Sequence, residues 1–184
     1  MSHREQALVR SVSIILGVAL TWIAAFSFNE WAFAGTAQSA RANWIFLPAS
    51  VRLLAVLLFG KLGAMGLAMG AFLAASTETQ VDWAYNAGLA ISSGIAPLLA
   101  VTGYCKIVKI GPDLAGLGPA SIVALSVAAA ATNAVLLNGY LYAISRLHTG
   151  IKQIAIVFVG DTLGTAIVLM ALSGLLTIVM PKRR

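Results

Sequence analysis

Charge is what this sequence has least of. Asp, Glu, Lys and Arg make up 10% of its 184 residues, hydrophobic residues make up 60%, and the mean hydropathy is +0.92. Water-soluble domains carry about 25% charged and about 45–50% apolar residues, so the chain lacks the polar surface of a globule in water. An ordinary soluble enzyme or binding domain is thereby excluded, and a bundle of membrane helices remains. Cysteine is almost missing too. Cys105 stands alone beside Lys106, which excludes an internal disulfide framework and a multi-cysteine metal site and leaves it a packing role. The two histidines, His3 and His148, fall outside the apolar runs and are poorly placed for a buried metal or haem. There is no H-E-x-x-H, G-x-S-x-G or Walker loop, and no carboxylates are paired at helical spacing. Ser50, Ser92, Ser93, Ser121 and Ser126 have no histidine or lysine inside a span to activate them. The chain is therefore expected to be no enzyme and to need no cofactor or metal.

The charges that are present are mostly basic, with a net charge of +6 and a pI near 9.9. They sit at the ends of apolar runs and do not interleave with aromatics. That pattern suits anionic lipid and membrane orientation and excludes nucleic acid as a partner.

The apolar runs predict an all-α, polytopic bundle of six spans in one domain: 11–33, 44–59, 62–76, 83–104, 114–144 and 153–180. The first could be mistaken for a signal peptide, because Ala32-Phe33-Ala34 mimics a cleavage site. Its apolar stretch exceeds the usual core of about 7–15 residues, and an uncleaved helix is expected. The second and third are short and are split by Gly60-Lys61-Leu62-Gly63, so they are either two short spans or a re-entrant hairpin. Pro48 fits a first helical turn, and Pro97 predicts a kink in the fourth span. The glycines and alanines of the third run predict tight packing among other helices. Six spans put both termini on one side. That side would hold Arg4, Arg10, Lys61, Lys106, Lys109, Lys182, Arg183 and Arg184, and the other Arg41, Arg146 and Lys152. The excess assigns the termini to the cytoplasm of a bacterial inner membrane.

Two charges lie well inside the spans, Arg52 and Asp161. At about 1.5 Å per residue each is roughly 12 Å below the outer face. Charges in lipid are costly and mark either a functional centre or a structural pair, so an Arg52–Asp161 ion pair facing the bundle interior is expected. Asn133 falls near the same level; Asn86, Asn138 and Tyr85 lie closer to the outer face, and Glu30 stands at the end of the first span. Together they suggest a polar pocket lined by spans two, four, five and six. Arg52 would anchor a small polar or anionic ligand there, or the pair would be a structural clasp. Gly160 and Gly164 flank Asp161 at a spacing that lets two helices approach closely. Gly17, Thr21 and Ala25 form a small-residue face on the first span, for packing within the chain or for docking a partner subunit.

Two stretches carry a family resemblance. Asn43–Gly60, with Trp44, Pro48-Ala49 and a Leu-rich run ending in glycine, resembles the early signature of bacterial membrane-associated sensor (MASE-type) domains. Gly160-Asp161-Thr162-Leu163-Gly164 resembles the G-D-x-x-G of their late helix. Ser50 stands where glycine is usual, and no proline follows Gly164. Such domains have about eight spans and are fused to a kinase or cyclase output. The resemblance therefore implies an integral sensory module that signals through a separate protein partner. In form, the chain also looks like a substrate-binding S component of an energy-coupling-factor transporter. A third possibility is an accessory transmembrane subunit of a larger membrane complex.

Overall fold

The computed structural model describes residues 2–33, 37–39, 42–77, 83–111, 117–145 and 150–179. Arg41, Glu78–Asp82, Pro112-Asp113, Arg146, His148 and the tail Met180–Arg184 lie outside the described residues.

The described residues form six helices: α1 (His3–Phe33), α2 (Pro48–Phe59), α3 (Lys61–Ser76), α4 (Trp83–Val108), α5 (Pro119–Ala143) and α6 (Ile151–Val179). Between α1 and α2, β1 (Ala37–Ser39) and β2 (Ala42–Asn43) pair antiparallel. Helix α1 begins eight residues earlier than its apolar run, because Ser2 and Glu5 form a reciprocal cap. The Ser2 N–H donates to Glu5 Oε2 at 2.7 Å, and the Glu5 N–H donates to Ser2 Oγ at 3.3 Å. Helix α5 starts at Pro119, with Gly118 extended before it; residues 114–116 of the expected span lie outside the described residues.

Four helices, α1, α4, α5 and α6, are long and apolar enough to cross a membrane. This is the architecture of a multi-pass membrane protein, and it narrows the six expected spans. Helices α2 and α3 have 12 and 16 residues, which at about 1.5 Å per residue fall short of a hydrocarbon core of about 30 Å. They form a hairpin turned by one residue. Gly60 takes φ 54°, a conformation that favours glycine, and its N–H donates to Val56 O at 2.8 Å. The legs then pack so closely that a Cβ at Gly63 would lie 2.1 Å from Ala55 O.

Neighbouring helices run α1, α3, α4, α5, α6, while α2 touches all five others from the centre. Leu53 of α2, Leu67 of α3 and Leu125 of α5 are fully buried and belong to one core with Val18 and Trp22 of α1. The small residues of α3 serve this packing: Gly66 and Gly70 lie against the α1 backbone at Ile15 and Ala19, and Gly94 of α4 lies against Ala64. The exterior is apolar, with Leu58 69% and Met170 66% exposed, while Arg52 and Asp161 are buried. That inversion of the water-soluble pattern is the one lipid demands.

The second expected span is corrected at its start. Trp44–Leu47 is not helical; it runs into the bundle beside α6, and the helix begins at Pro48. Non-helical backbone at this depth needs protein partners for its polar groups, and Phe46 and Leu47 have them. The Phe46 N–H donates to Gly160 O at 3.1 Å, and the Leu47 N–H donates to Asn29 Oδ1 at 2.8 Å. Phe46 O accepts from the Ala49 N–H, and Leu47 O from the Ser50 N–H and hydroxyl. The two glycines of α6 make room for this segment and not for a neighbouring helix. A Cβ at Gly160 would lie 2.0 Å from Asn43 O, and one at Gly164 would lie 2.1 Å from Phe46 O.

Gly160→Ala and Gly164→Ala are accordingly expected to lower stability by about 1–3 kcal/mol each through overpacking. Gly174→Ala, at an open position on the same helix, should be neutral or slightly stabilising. Thermal unfolding of the purified protein in detergent measures all three; equal behaviour of the three variants would refute the close approach.

Candidate functional site

Four helices bring side chains to one level. Trp22 is 11 residues before the end of α1, and Asn133 is 10 before the end of α5. Asp161 and Ser93 are each 10 residues past the starts of α6 and α4. Each therefore lies about 15 Å along its helix from the same end of the bundle. Arg52, in the second turn of α2, meets them there because residues 43–47 carry the chain inward before the helix starts.

The structure places Arg52 Nη2 2.7 Å from Asp161 Oδ1. Asn133 Nδ2 donates to the other carboxylate oxygen, Oδ2, also at 2.7 Å. Three helices thus converge on one carboxylate. Arg52 also packs against two aromatic rings, its Cζ 5.6 Å from the centroid of Trp22 and 5.2 Å from that of Phe46. Those rings meet edge to face at 6.0 Å. A desolvated cation over an aromatic face gains about 2 kcal/mol, and the charge-assisted bonds to Asp161 offset much of the cost of burying both ions.

Above the pair is a cavity of about 70 Å³. Its floor is Arg52, Asp161 and Asn133; its rim is Glu30 and Asn43. Glu30 stands eight residues beyond Trp22 on α1, about 12 Å nearer the helix end. At the rim Asn43 Nδ2 donates to Glu30 Oε1 at 3.1 Å. Phe26, Leu89, Leu137 and Val157 supply apolar wall. The volume is about half the roughly 150 Å³ that accommodates benzene in an engineered cavity, so it suits a molecule of a few heavy atoms.

Arg52, Asp161, Asn133 and Glu30 all line this cavity. Asn86 and Asn138 do not. Both are buried, Asn138 donating to Ala134 O of its own helix at 2.7 Å. They belong to the stretches where the Tyr140 ring packs on Gly88 and its hydroxyl donates to Ala84 O. Tyr85 is likewise not among the lining residues. Gly17 and Thr21 are exposed and Ala25 is half-buried. Gly17 and Thr21 line an apolar groove of about 600 Å³ between α1 and α2, with Arg10 at one end. Cys105 packs at the edge of the main core. No cluster able to hold a metal ion occurs among the described residues.

Sequence reasoning missed Trp22, Phe46, Asn29 and Asn43. One signal for Trp22 was available: tryptophan in membrane proteins favours the interfaces, and this one lies mid-span. Phe46 looked like part of an apolar helix and gave no such signal.

Removing either ion leaves its partner buried and alone, so Arg52→Gln and Asp161→Asn should each cost about 3–5 kcal/mol. Asn133→Leu should cost about 1–3 kcal/mol. The exchange Arg52→Asp with Asp161→Arg should regain part of the single-variant loss. Thermal unfolding of the four proteins checks this, and unchanged stability in both single variants would overturn the pair.

No protein-family profile, curated protein or solved structure matches the chain, so the sensor-domain resemblance stands on its two motifs.

Proposed function

We propose that this bundle is the ligand-receiving module of a bacterial inner-membrane sensor, which passes the binding event to an output partner. The observation that carries the proposal is the cavity that ends on the Arg52–Asp161–Asn133 network. A structural clasp requires only the ion pair. Here the pair also forms the floor of a space whose rim holds further polar groups. The resemblance adds support, because its two stretches touch: Asn43 and Phe46 lie against Gly160 and Gly164. In this proposal the termini and Lys61 face the cytoplasm and the cavity rim faces outward.

A transporter S component is a second reading, favoured by the open Gly17–Thr21 face of α1. Small exposed residues there would let a partner helix approach closely. Co-purification of an ATPase and its membrane coupling subunit would favour it; co-purification of a kinase or cyclase would favour the sensor.

A panel of small polar compounds screened by thermal unfolding in detergent tests the receptor reading. At least one is expected to raise the unfolding temperature of the wild type. Ala74→Val, which fills space in the cavity wall, should remove that shift at a stability cost of about 1–3 kcal/mol. A wild type stabilised by nothing in the panel would sink the reading. For orientation, Lys61→Cys and Trp83→Cys in a Cys105→Ser background should react with a membrane-impermeant thiol reagent from opposite sides. Labelling of Lys61→Cys from outside intact cells would reverse the topology.

A further inference from the structure

The polar groups around the cavity do not balance. The Arg52 guanidinium is matched by Asp161, and both oxygens of that carboxylate already accept, one from Arg52 and one from Asn133. Among the described residues that line the cavity, the charge left over is Glu30 on the rim. Beside it stands a second acceptor. Asn43 is 8% exposed and uses its amide N–H on Glu30, while its Oδ1 is buried and receives no hydrogen bond. A buried carbonyl oxygen left without a donor is costly, and it is free to accept from a ligand.

Resting on the reading of the cavity as a ligand site, we infer that the ligand is a small primary ammonium compound, its N–H groups shared between the Glu30 carboxylate and Asn43 Oδ1. Its short apolar body lies against Phe26, Leu89 and Leu137. This reverses the expectation that Arg52 anchors an anion. An anion would meet a guanidinium whose charge Asp161 already neutralises, and would have to pass the Glu30 carboxylate on the way in. An ammonium meets attraction at the rim and finds three donors' worth of acceptor capacity there. Propylammonium and ethanolamine both carry such a group, and their few heavy atoms suit the volume.

Propylammonium, ethanolamine, propionate and n-propanol are the probes, each titrated against thermal unfolding at matched ionic strength. The two amines should raise the unfolding temperature of the wild type; propionate and propanol should not. Glu30 is exposed, so Glu30→Gln folds normally and should weaken amine affinity about tenfold, the loss of one charge-assisted contact. Repeating the titration in phosphatidylcholine nanodiscs, with and without phosphatidylethanolamine, separates two sources of the ammonium group. Equal shifts identify a free amine; shifts abolished by phosphatidylethanolamine assign the group to that lipid headgroup. Stabilisation by propionate without stabilisation by amines overturns the inference but leaves the cavity a ligand site, as does an amine response that survives Glu30→Gln. If no compound of this set or of the broader panel binds, the receptor reading falls and the inference falls with it.

Discussion

An arginine and an aspartate among apolar helices are tolerable only in each other's company, and most of this fold is arranged so that they meet. Arg52 belongs to a helix too short to reach lipid on both sides, and Asp161 to one that crosses the bundle. Bringing them together requires the chain after β2 to enter the bundle without helical structure. That requires polar partners for the backbone of Phe46 and Leu47, and it requires α6 to have no side chains where the backbone passes. Asn29, the Gly160 carbonyl and the two α6 glycines meet these needs. The ion pair, the inward segment and the glycines are one interdependent unit.

The same unit explains why α2 is central. A helix placed by an inward-running segment starts within the bundle and is surrounded from its first turn. Its neighbours are therefore protein on nearly every side, and Leu53 and Val56 are buried with Arg52. The aromatic rings of Trp22 and Phe46 complete the environment of the guanidinium, one from a crossing helix and one from the inward segment.

Much of this was legible in the sequence for a plain physical reason: when two charges stand alone in apolar runs at similar depth, each is the other's only economical partner. Helix positions followed from hydropathy, and the turn at Gly60 followed from the break between two short runs. What the sequence could not show is the shape of the object facing a glycine. A G-x-x-x-G spacing signals close approach, and an extended backbone satisfies it as well as a helix does. The start of α2 was missed for the same reason, since Trp44–Leu47 is apolar enough to pass for helix. The early start of α1 was written in Ser2 and Glu5, but the polar character of the neighbouring residues concealed it. Asn86 and Asn138 were placed in the site by depth alone, and depth does not fix the direction in which a side chain points.

The contacts of Gly160 and Gly164 carry a consequence for how such a chain can vary over time. Any larger residue at either position must be answered by a change in the path of residues 43–47, more than a hundred positions away in the chain. Gly17 and Gly174 face open space and carry no such obligation. Two short stretches are thus bound to change together while the apolar surface between them drifts freely, limited only by hydropathy. A relative would share little overall sequence with this chain and would still be recognisable by an inward-running segment near an arginine and a distant pair of glycines around an aspartate.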